Sequence, residues 1–392
     1  MQRFQFYLPT RVYFGKGTIE KVGEEAKKLG KRALVVTGGK SARRMGALQK
    51  VEDSLKKMGV KTILFEGVEA NPALEMIKRG TSLTKEEQCQ IIVGLGGGSP
   101  MDVAKGIAVS STNPGPFTQY LGRNKLKKSP LPVIAIPTTA GTGSEVTPYA
   151  VFTITTDGKH RKKIMADDFI FPKVALVDPE LTLSLPPSVT ADTGIDALSH
   201  AIEGLISNNS QWLSDHLAVR AIKLLSTHLP EVVRNPQDIE TRGRVLYASL
   251  LAGMVIAQTG AILVHGMSYR LTTDLNLPHG RACAILLPWV CEFNLEGIPA
   301  KLTSLAKSLS LGEDVKNLSQ EEAVECVVNR IRDLVLQVGL PQDLKSRKIE
   351  ESLIEDLAGE VMQDKRKLAN NPRQVTLKEV IEIYRKAFGI VK

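Results

Sequence analysis

Asp196 and His200 stand four residues apart in the stretch from Thr193 to Glu203. On an α-helix that spacing puts a carboxylate and an imidazole on one face, about one turn apart. Such a pair can grip a divalent cation, or it can be a plain hydrogen bond on a buried helix. His265 and His279 extend the set, so three of the chain's six histidines fall in it. His265 ends the apolar run Ala261–Val264, and Pro278 and Gly280 on either side of His279 suggest a rigid bend. Three imidazoles and one carboxylate suit Fe(II), Zn(II), Co(II) or Ni(II), with positions left for water or substrate. The other histidines read as bland: His160 in a charged hairpin, His216 on an amphipathic helix, His228 near a helix end before Pro230. Cys89, Cys283, Cys291 and Cys326 show no CxxC spacing. They read as reduced thiols of a cytoplasmic protein, and none as a zinc ligand.

A second chemistry sits earlier. The apolar run from Ile91 leads into Gly96, Gly97 and Gly98, and a helical pattern follows at once. Glycines let backbone N–H groups approach a phosphate without a Cβ in the way. Ser99 suits an N-cap, Pro100 the first helical position, and Asp102 the first turn. This is not the GxGxxG fingerprint, which belongs at a first strand. Pro137–Thr147 follows another apolar run and offers hydroxyls at Thr138, Thr139, Thr142, Ser144 and Thr147 on a loop opened by Gly141 and Gly143. Such a loop suits a nicotinamide or a pyrophosphate. Val35–Arg44 falls where NAD sites often place an acid for the ribose 2′-hydroxyl. Here no Asp or Glu is present; Gly38, Gly39, Lys40, Ser41, Arg43 and Arg44 suit a 2′-phosphate. NADP(H) is therefore expected over NAD(H).

The elements that must hold these groups follow from periodicity. Strands are expected at Arg11–Phe14, Ala33–Val36, Lys61–Phe65, Ile91–Leu95, Val133–Ile136 and Val174–Val177, with a hairpin around Thr156-Asp157-Gly158. Helices are expected between them at 17–29, 45–58, 75–85 and 100–111. This βαβα order argues a mostly parallel sheet with helices on both faces. After the Pro-rich hinge Leu185–Ser188 the texture turns helical, at 190–207, 212–228, 239–259, 323–338 and 377–388, with 343–355 as a solvated helix face and connector. The expected division is an α/β dinucleotide-binding domain over 1–184 and an all-α metal-binding domain over 185–392.

Composition narrows the class. Apolar residues make up 43% of the 392 and charged residues 24%, ordinary values for a globular chain with two cores. No run reaches membrane-span length, and the N-terminus lacks the zones of a signal peptide. The formal charge of +9 is spread along the chain and aromatics are only 5%, which argues against a nucleic-acid surface.

Together these stretches resemble the iron-containing (group III) alcohol dehydrogenases, over nearly the whole chain. The matching segments are Gly96–Lys105, Pro137–Thr147, Thr193–Glu203, Pro278–Ala282 through Pro288 with Phe293 and Asn294, Tyr13–Gly17, and Asn371–Arg373. The resemblance implies a dinucleotide-binding α/β domain and a helical metal domain of the dehydroquinate synthase-like plan, with the active site in the cleft between them. It places metal ligands at Asp196, His200, His265 and His279. It places cofactor contacts at Gly97, Gly98, Ser99, Asp102, Thr138, Thr139 and Thr142, and at Asn71, Val151 and Lys162. The activity it implies is reversible alcohol oxidation: iron, or else zinc, acts as Lewis acid on the oxygen of a small primary alcohol or aldehyde, and hydride passes to NADP(H). Where many members carry a further histidine, four residues after His265, this chain has Tyr269, a poorer proton relay near neutrality. Tyr149, Val151, Ile256 and Tyr269 suit a mostly apolar substrate pocket. A homodimer is expected, with Arg11–Phe14 pairing across its axis, and no membrane or nucleic-acid partner. Glycerol dehydrogenases and dehydroquinate synthases share the plan, but His200 argues against both; a metal-dependent scaffold without turnover is the reading from another class.

Overall fold

Apolar strand runs alternate with amphipathic helices in the first half of the chain, and helices alone build the second. The computed structural model describes residues 3–390 apart from Asn71, Asp157, Glu313, Asp314, Lys316 and Lys348. Among the described residues there are nine strands: β1 (Arg11–Phe14), β2 (Arg32–Thr37), β3 (Lys61–Phe65), β4 (Ile91–Gly96), β5 (Gly122–Arg123), β6 (Val133–Pro137), β7 (Tyr149–Thr156), β8 (Lys159–Ala166) and β9 (Val174–Val177). Six of them make a sheet in the order β1-β9-β6-β4-β2-β3, every pair parallel. Alternation decides the faces. Ala33 and Val35 pack with Val51 and Leu55 on one side, and Leu34 and Val36 with Val103 and Ile107 on the other. Both faces are covered, which is why these strands read as unbroken apolar runs. β7 and β8 form an antiparallel hairpin beside this sheet, joined by β5.

The strand order places the ligand loops. β3 lies on one side of β2 and β4 on the other. In open α/β sheets ligands bind beyond the carboxyl ends of strands at such a reversal. The segments there are Gly38–Lys40 after β2 and the turn at Gly97, between β4 and the helix that starts at Gly98.

The chain divides into two compact units. One holds Tyr7–Leu185 together with Gln237–Leu246; the other holds the residues up to Phe6, Pro186–Pro236 and the chain from Tyr247 onward. The segment 237–246 thus packs with the first unit. Among the described residues no strand follows Val177. The helices there are Pro187–Ile206, Trp212–Arg234, Ile239–Thr259, Leu263–Asp274, His279–Leu295, Pro299–Ser308, Gln320–Gln337, Glu351–Val361, Lys365–Asn370 and Leu377–Phe388. None of them alone is long and apolar enough to cross a membrane.

Local departures from the sequence expectations have physical causes. The helix expected to stop at His228 runs to Arg234 with Pro230 inside it. Leu229 and Val232 are buried there, and their packing outweighs the lost backbone hydrogen bond. Residues 17–29 form a 3-10 turn, Thr18–Lys21, before the α-helix Val22–Leu29. The helix after β4 starts at Gly98, so Gly97, not Ser99, is its cap, and no side chain caps it. His279 opens a long helix instead of sitting in a bend.

Candidate metal and nucleotide sites

The Pro187–Ile206 helix carries Asp196, His200 and Glu203, all buried. The intervals of four and three put the three side chains in one stripe. Two other helices bring histidines to that stripe. His265 lies in the first turn of Leu263–Asp274, and His279 is the first residue of His279–Leu295. The second approach is close. A Cβ on Gly280 would stand 1.7 Å from the Asp192 carbonyl oxygen, so only glycine fits. Arg281 clamps the same junction, its Nε and Nη2 donating to the two Asp192 carboxylate oxygens at 3.3 and 3.2 Å.

Distances show what the cluster is shaped for. His265 Nε2 lies 3.3 Å and His279 Nε2 3.6 Å from the same oxygen, Asp196 Oδ1. Cys283, one turn beyond His279, places Sγ 4.0 Å from that oxygen and 3.9 Å from His279 Nε2. The donor atoms of Asp196, His265, His279 and Cys283 all lie within 4.8 Å of one another. Ligands at about 2.0–2.3 Å around one tetrahedral ion stand roughly 3.3–3.6 Å apart, so the donors nearly have that spacing. His200 stands beside this group, its ring stacked on His265 with centroids 4.4 Å apart and planes at 16°.

Glu203 completes the arrangement from behind. Its carboxylate accepts from His265 Nδ1 and, at 3.3 Å, from the His265 backbone N–H. In a neutral ring, the form that binds a metal, a carboxylate on Nδ1–H fixes the tautomer and leaves the lone pair on Nε2, the nitrogen beside Asp196. Burial pulls the His265 pKa down, but Glu203 and Asp196 push it up to about 9. Burial would raise Asp196, yet His200, His279 and His265 hold it well below the usual carboxylate range. Buried imidazoles around buried acids give no hydrophobic stability; a cation among the donors satisfies them. The donor set therefore fits a divalent metal.

Tyr269 lies one turn after His265, its ring 5.7 Å from that of His279 and under the Lys367 ammonium. Desolvation, with Asp364 and other anions nearby, pushes its phenol above the ordinary tyrosine range. That makes it a weaker proton relay than its type alone suggests.

In the other unit, the loops after β4 and β6 meet. A Cβ on Gly98 would fall 2.8 Å from Thr142 Cγ2, and one on Gly97 would touch Thr139 at 3.4 Å. The first turn of Gly98–Thr112 has no side-chain cap, leaving the N–H groups of Gly98 and Ser99 for an anion. Gly38, after β2, lies within reach of Pro100 in that turn. Asp102 is a tie within the chain. It accepts from Ser144 Oγ at 2.7 Å and Val151 N at 2.9 Å. Thr138 and Thr147 are buried, and the Thr147 carbonyl accepts from the Lys105 ammonium, as do Ser144 and Tyr149. Gly39 and Ser41 are exposed, and Lys162 lies half-buried on β8. Arg43 is held by Glu66 through two bonds of 2.6 and 2.7 Å, which leaves Lys40, Ser41 and Arg44 as the groups around Gly39. Asn71 lies outside the described residues.

Sequence reasoning passed over Glu203 and set Cys283 aside as a ligand, whereas the structure places its sulfur among the donor atoms. Glu203 gave a signal as the third member of the 196, 200, 203 stripe. Cys283 gave one as the residue four beyond His279, the spacing already noted for Asp196 and His200.

Comparison with known proteins agrees with both halves. Residues 9–179 match the family described as iron-containing alcohol dehydrogenase, and residues 190–388 match that of the Fe-containing alcohol dehydrogenase family, C-terminal. A 1,3-propanediol dehydrogenase of Citrobacter freundii is 37% identical over 388 residues, 98% of this chain and 99% of the relative. An NADPH-dependent butanol dehydrogenase of Clostridium saccharobutylicum is 35% identical, covering 97% of each chain. The solved structure of an alcohol dehydrogenase from Oenococcus oeni superposes with a TM-score of 0.93 at 34% identity, over 98% of this chain and 100% of that one.

Proposed function

The chain belongs to the iron-containing alcohol dehydrogenase family, and on that premise we propose that it interconverts small primary alcohols and aldehydes with NADP(H). The observation that carries the proposal is the buried donor cluster on Asp196 Oδ1, with Glu203 behind His265. Asp196, His265 and His279 would hold iron, or else zinc, with His200 as the fourth protein ligand.

When bound, the metal supplies Lewis acidity at the substrate oxygen, and the nicotinamide gives or takes the hydride. The chain's own residues do the rest. Glu203 keeps the Nδ1 proton on His265 and so keeps Nε2 available as a lone pair. Gly280 and Arg281 fix His279 opposite Asp196. Tyr269 gives a half-buried aromatic wall beside His279, a positioning role more than a proton-carrying one. Gly97, Gly98 and Ser99 present N–H groups to the pyrophosphate, with Thr138, Thr139 and Thr142 on the facing loop. Asp102, Thr147 and Val151 hold that loop in place. The acid-free sequence Gly39-Lys40-Ser41 supports a 2′-phosphate. The four free cysteines support a cytoplasmic setting, and the place of β1 at the sheet edge supports pairing with a second copy.

Elemental analysis of the purified protein, combined with initial rates on butyraldehyde with NADPH and with NADH, tests this reading. One iron or zinc per chain and faster use of NADPH are expected. Replacing His279 by Ala should abolish turnover while cofactor binding stays measurable. A metal-free active enzyme, or unchanged turnover in that variant, refutes the ligand assignment; a clear NADH preference refutes the cofactor choice alone.

A further inference from the structure

Buried cysteines in proteins are mostly inert, small apolar fillers. Cys291 and Cys89 fit that description, their thiols pushed up by burial. Cys283 does not. It is fully buried, yet its sulfur faces nitrogen and oxygen donors. It lies one helical turn from His279 on a helix whose start is fixed by the Gly280–Asp192 contact and the Arg281–Asp192 pair. Its separations of 3.9 and 4.0 Å from His279 Nε2 and Asp196 Oδ1 are close to the roughly 3.6 Å between a sulfur and a nitrogen sharing one ion.

We propose that Cys283 Sγ is a ligand of the metal held by Asp196, His265 and His279, in the fourth position that His200, stacked on His265, would otherwise fill, and that it biases the site toward zinc and cobalt over iron. The proposal rests on the metal reading above. On coordination a sulfur–metal bond forms, the S–H bond breaks and its proton passes to solvent. Thiolate is a soft donor, and a site that includes one favours zinc more than a set of imidazoles and carboxylate alone does. The competing role is local: the thiol donates a weak hydrogen bond to Asp196 and never meets the metal.

The test uses the full-length protein, stripped of metal and titrated with Co(II). Visible d–d bands report binding at the site, and a near-ultraviolet sulfur-to-cobalt charge-transfer band reports a thiolate ligand. Both are expected in the parent chain. Cys283→Ser, with circular dichroism matching the parent, should keep the visible bands, lose the near-ultraviolet band and bind Zn(II) about tenfold or more weakly, with a smaller loss for Fe(II). Visible bands without the charge-transfer band in the parent overturn the thiolate ligand and leave the metal site standing. A charge-transfer band that survives in Cys283→Ser also overturns it, because another cysteine then carries the band. Absence of any bound cobalt overturns both proposals.

Discussion

Replacing Gly280 by Ala probes the junction on which His279 depends. The new methyl would stand 1.7 Å from the Asp192 carbonyl oxygen and 2.4 Å from its carbon, where ordinary contact begins near 3.4 Å. Both obstacles are backbone, so no side-chain tip can swing away. The two helices must part by roughly 1.7 Å along that direction. Overpacking of this kind costs about 1–3 kcal/mol, which in a chain this long lowers Tm by only a few degrees. Metal ligation is far less forgiving, since ligand distances hold to within about 0.2 Å. His279 is the residue before Gly280, and its Nε2 now lies 3.6 Å from Asp196 Oδ1; parting the helices draws it away from that oxygen. The expected outcome is a folded protein that elutes from gel filtration with little or no iron or zinc and with negligible turnover. Differential scanning fluorimetry and elemental analysis on the same fractions measure both effects. Full metal content with an unchanged Tm would show that the helix contact does not position His279.

Four other substitutions address separate links. Glu203→Gln keeps an acceptor for His265 Nδ1 but removes the charge, so Zn(II) affinity by competition with a chelator should fall about 10–100-fold; unchanged affinity rejects the supporting role. Gly39→Asp meets open space, and a carboxylate about 5 Å from a doubly charged 2′-phosphate costs ~1.5 kcal/mol at water-like screening. The KM for NADPH should therefore rise about tenfold while that for NADH does not, and equal effects on the two refute the cofactor placement. Tyr269→Phe should keep turnover within about threefold across the pH profile, whereas a proton relay would lose roughly 100-fold or more. Burial, partly offset by a bond to its own backbone N–H and by Lys105, raises the Glu145 pKa to about 7 from 4.5. Its native state thus holds the proton more tightly than the unfolded chain, a contribution present below pH 4.5 and lost as pH rises through about 7. Glu145→Gln should then gain stability over the parent at pH 8, by up to about 3 kcal/mol, and little at pH 4.5; a pH-independent difference in chemical denaturation would contradict this.

The parallel sheet was legible because strands buried on both faces must be apolar throughout, as from Ile91 to Leu95. The loops after β2, β4 and β6 followed, since glycines and hydroxyls crowd where those strands end. The helices at 263–274 and 279–295 were harder to see. The second is apolar nearly all round, and the first buries His265, Ser268, Arg270 and Thr272 among its apolar residues, so neither shows the period that marks an amphipathic helix. Pro288 lies inside the second one, and Pro278 with Gly280 looks like a turn until the contact with Asp192 explains the glycine. Periodicity read the early helices well but could not foresee that Gly97 takes the cap from Ser99. Of the donors, Asp196 and His200 announced themselves by spacing. Glu203 lies 62 residues from His265, and no local pattern connects the two.

The Pro187–Ile206 helix shows why these polar residues demand a functional account. From Ala191 to Ile206 every residue but Thr193 is buried. Neighbouring helices press on it from several directions: a Cβ on Gly194 would fall 2.2 Å from Leu229, and one on Gly204 would fall 2.2 Å from Val255. A helix enclosed this way is expected to be apolar all round. Each polar group buried inside it carries a desolvation penalty that a partner only offsets. Asp196, His200 and Glu203 bear that penalty in one stripe, and their partners His265 and His279 bear it again on facing helices. Apolar side chains of similar volume would pack the same space at no such cost. Folding therefore gives no reason for five titratable groups at this one place, and a bound cation does. The same reasoning extends to Cys283, since packing asks only for a small side chain there and makes no demand that its sulfur face Asp196 and His279.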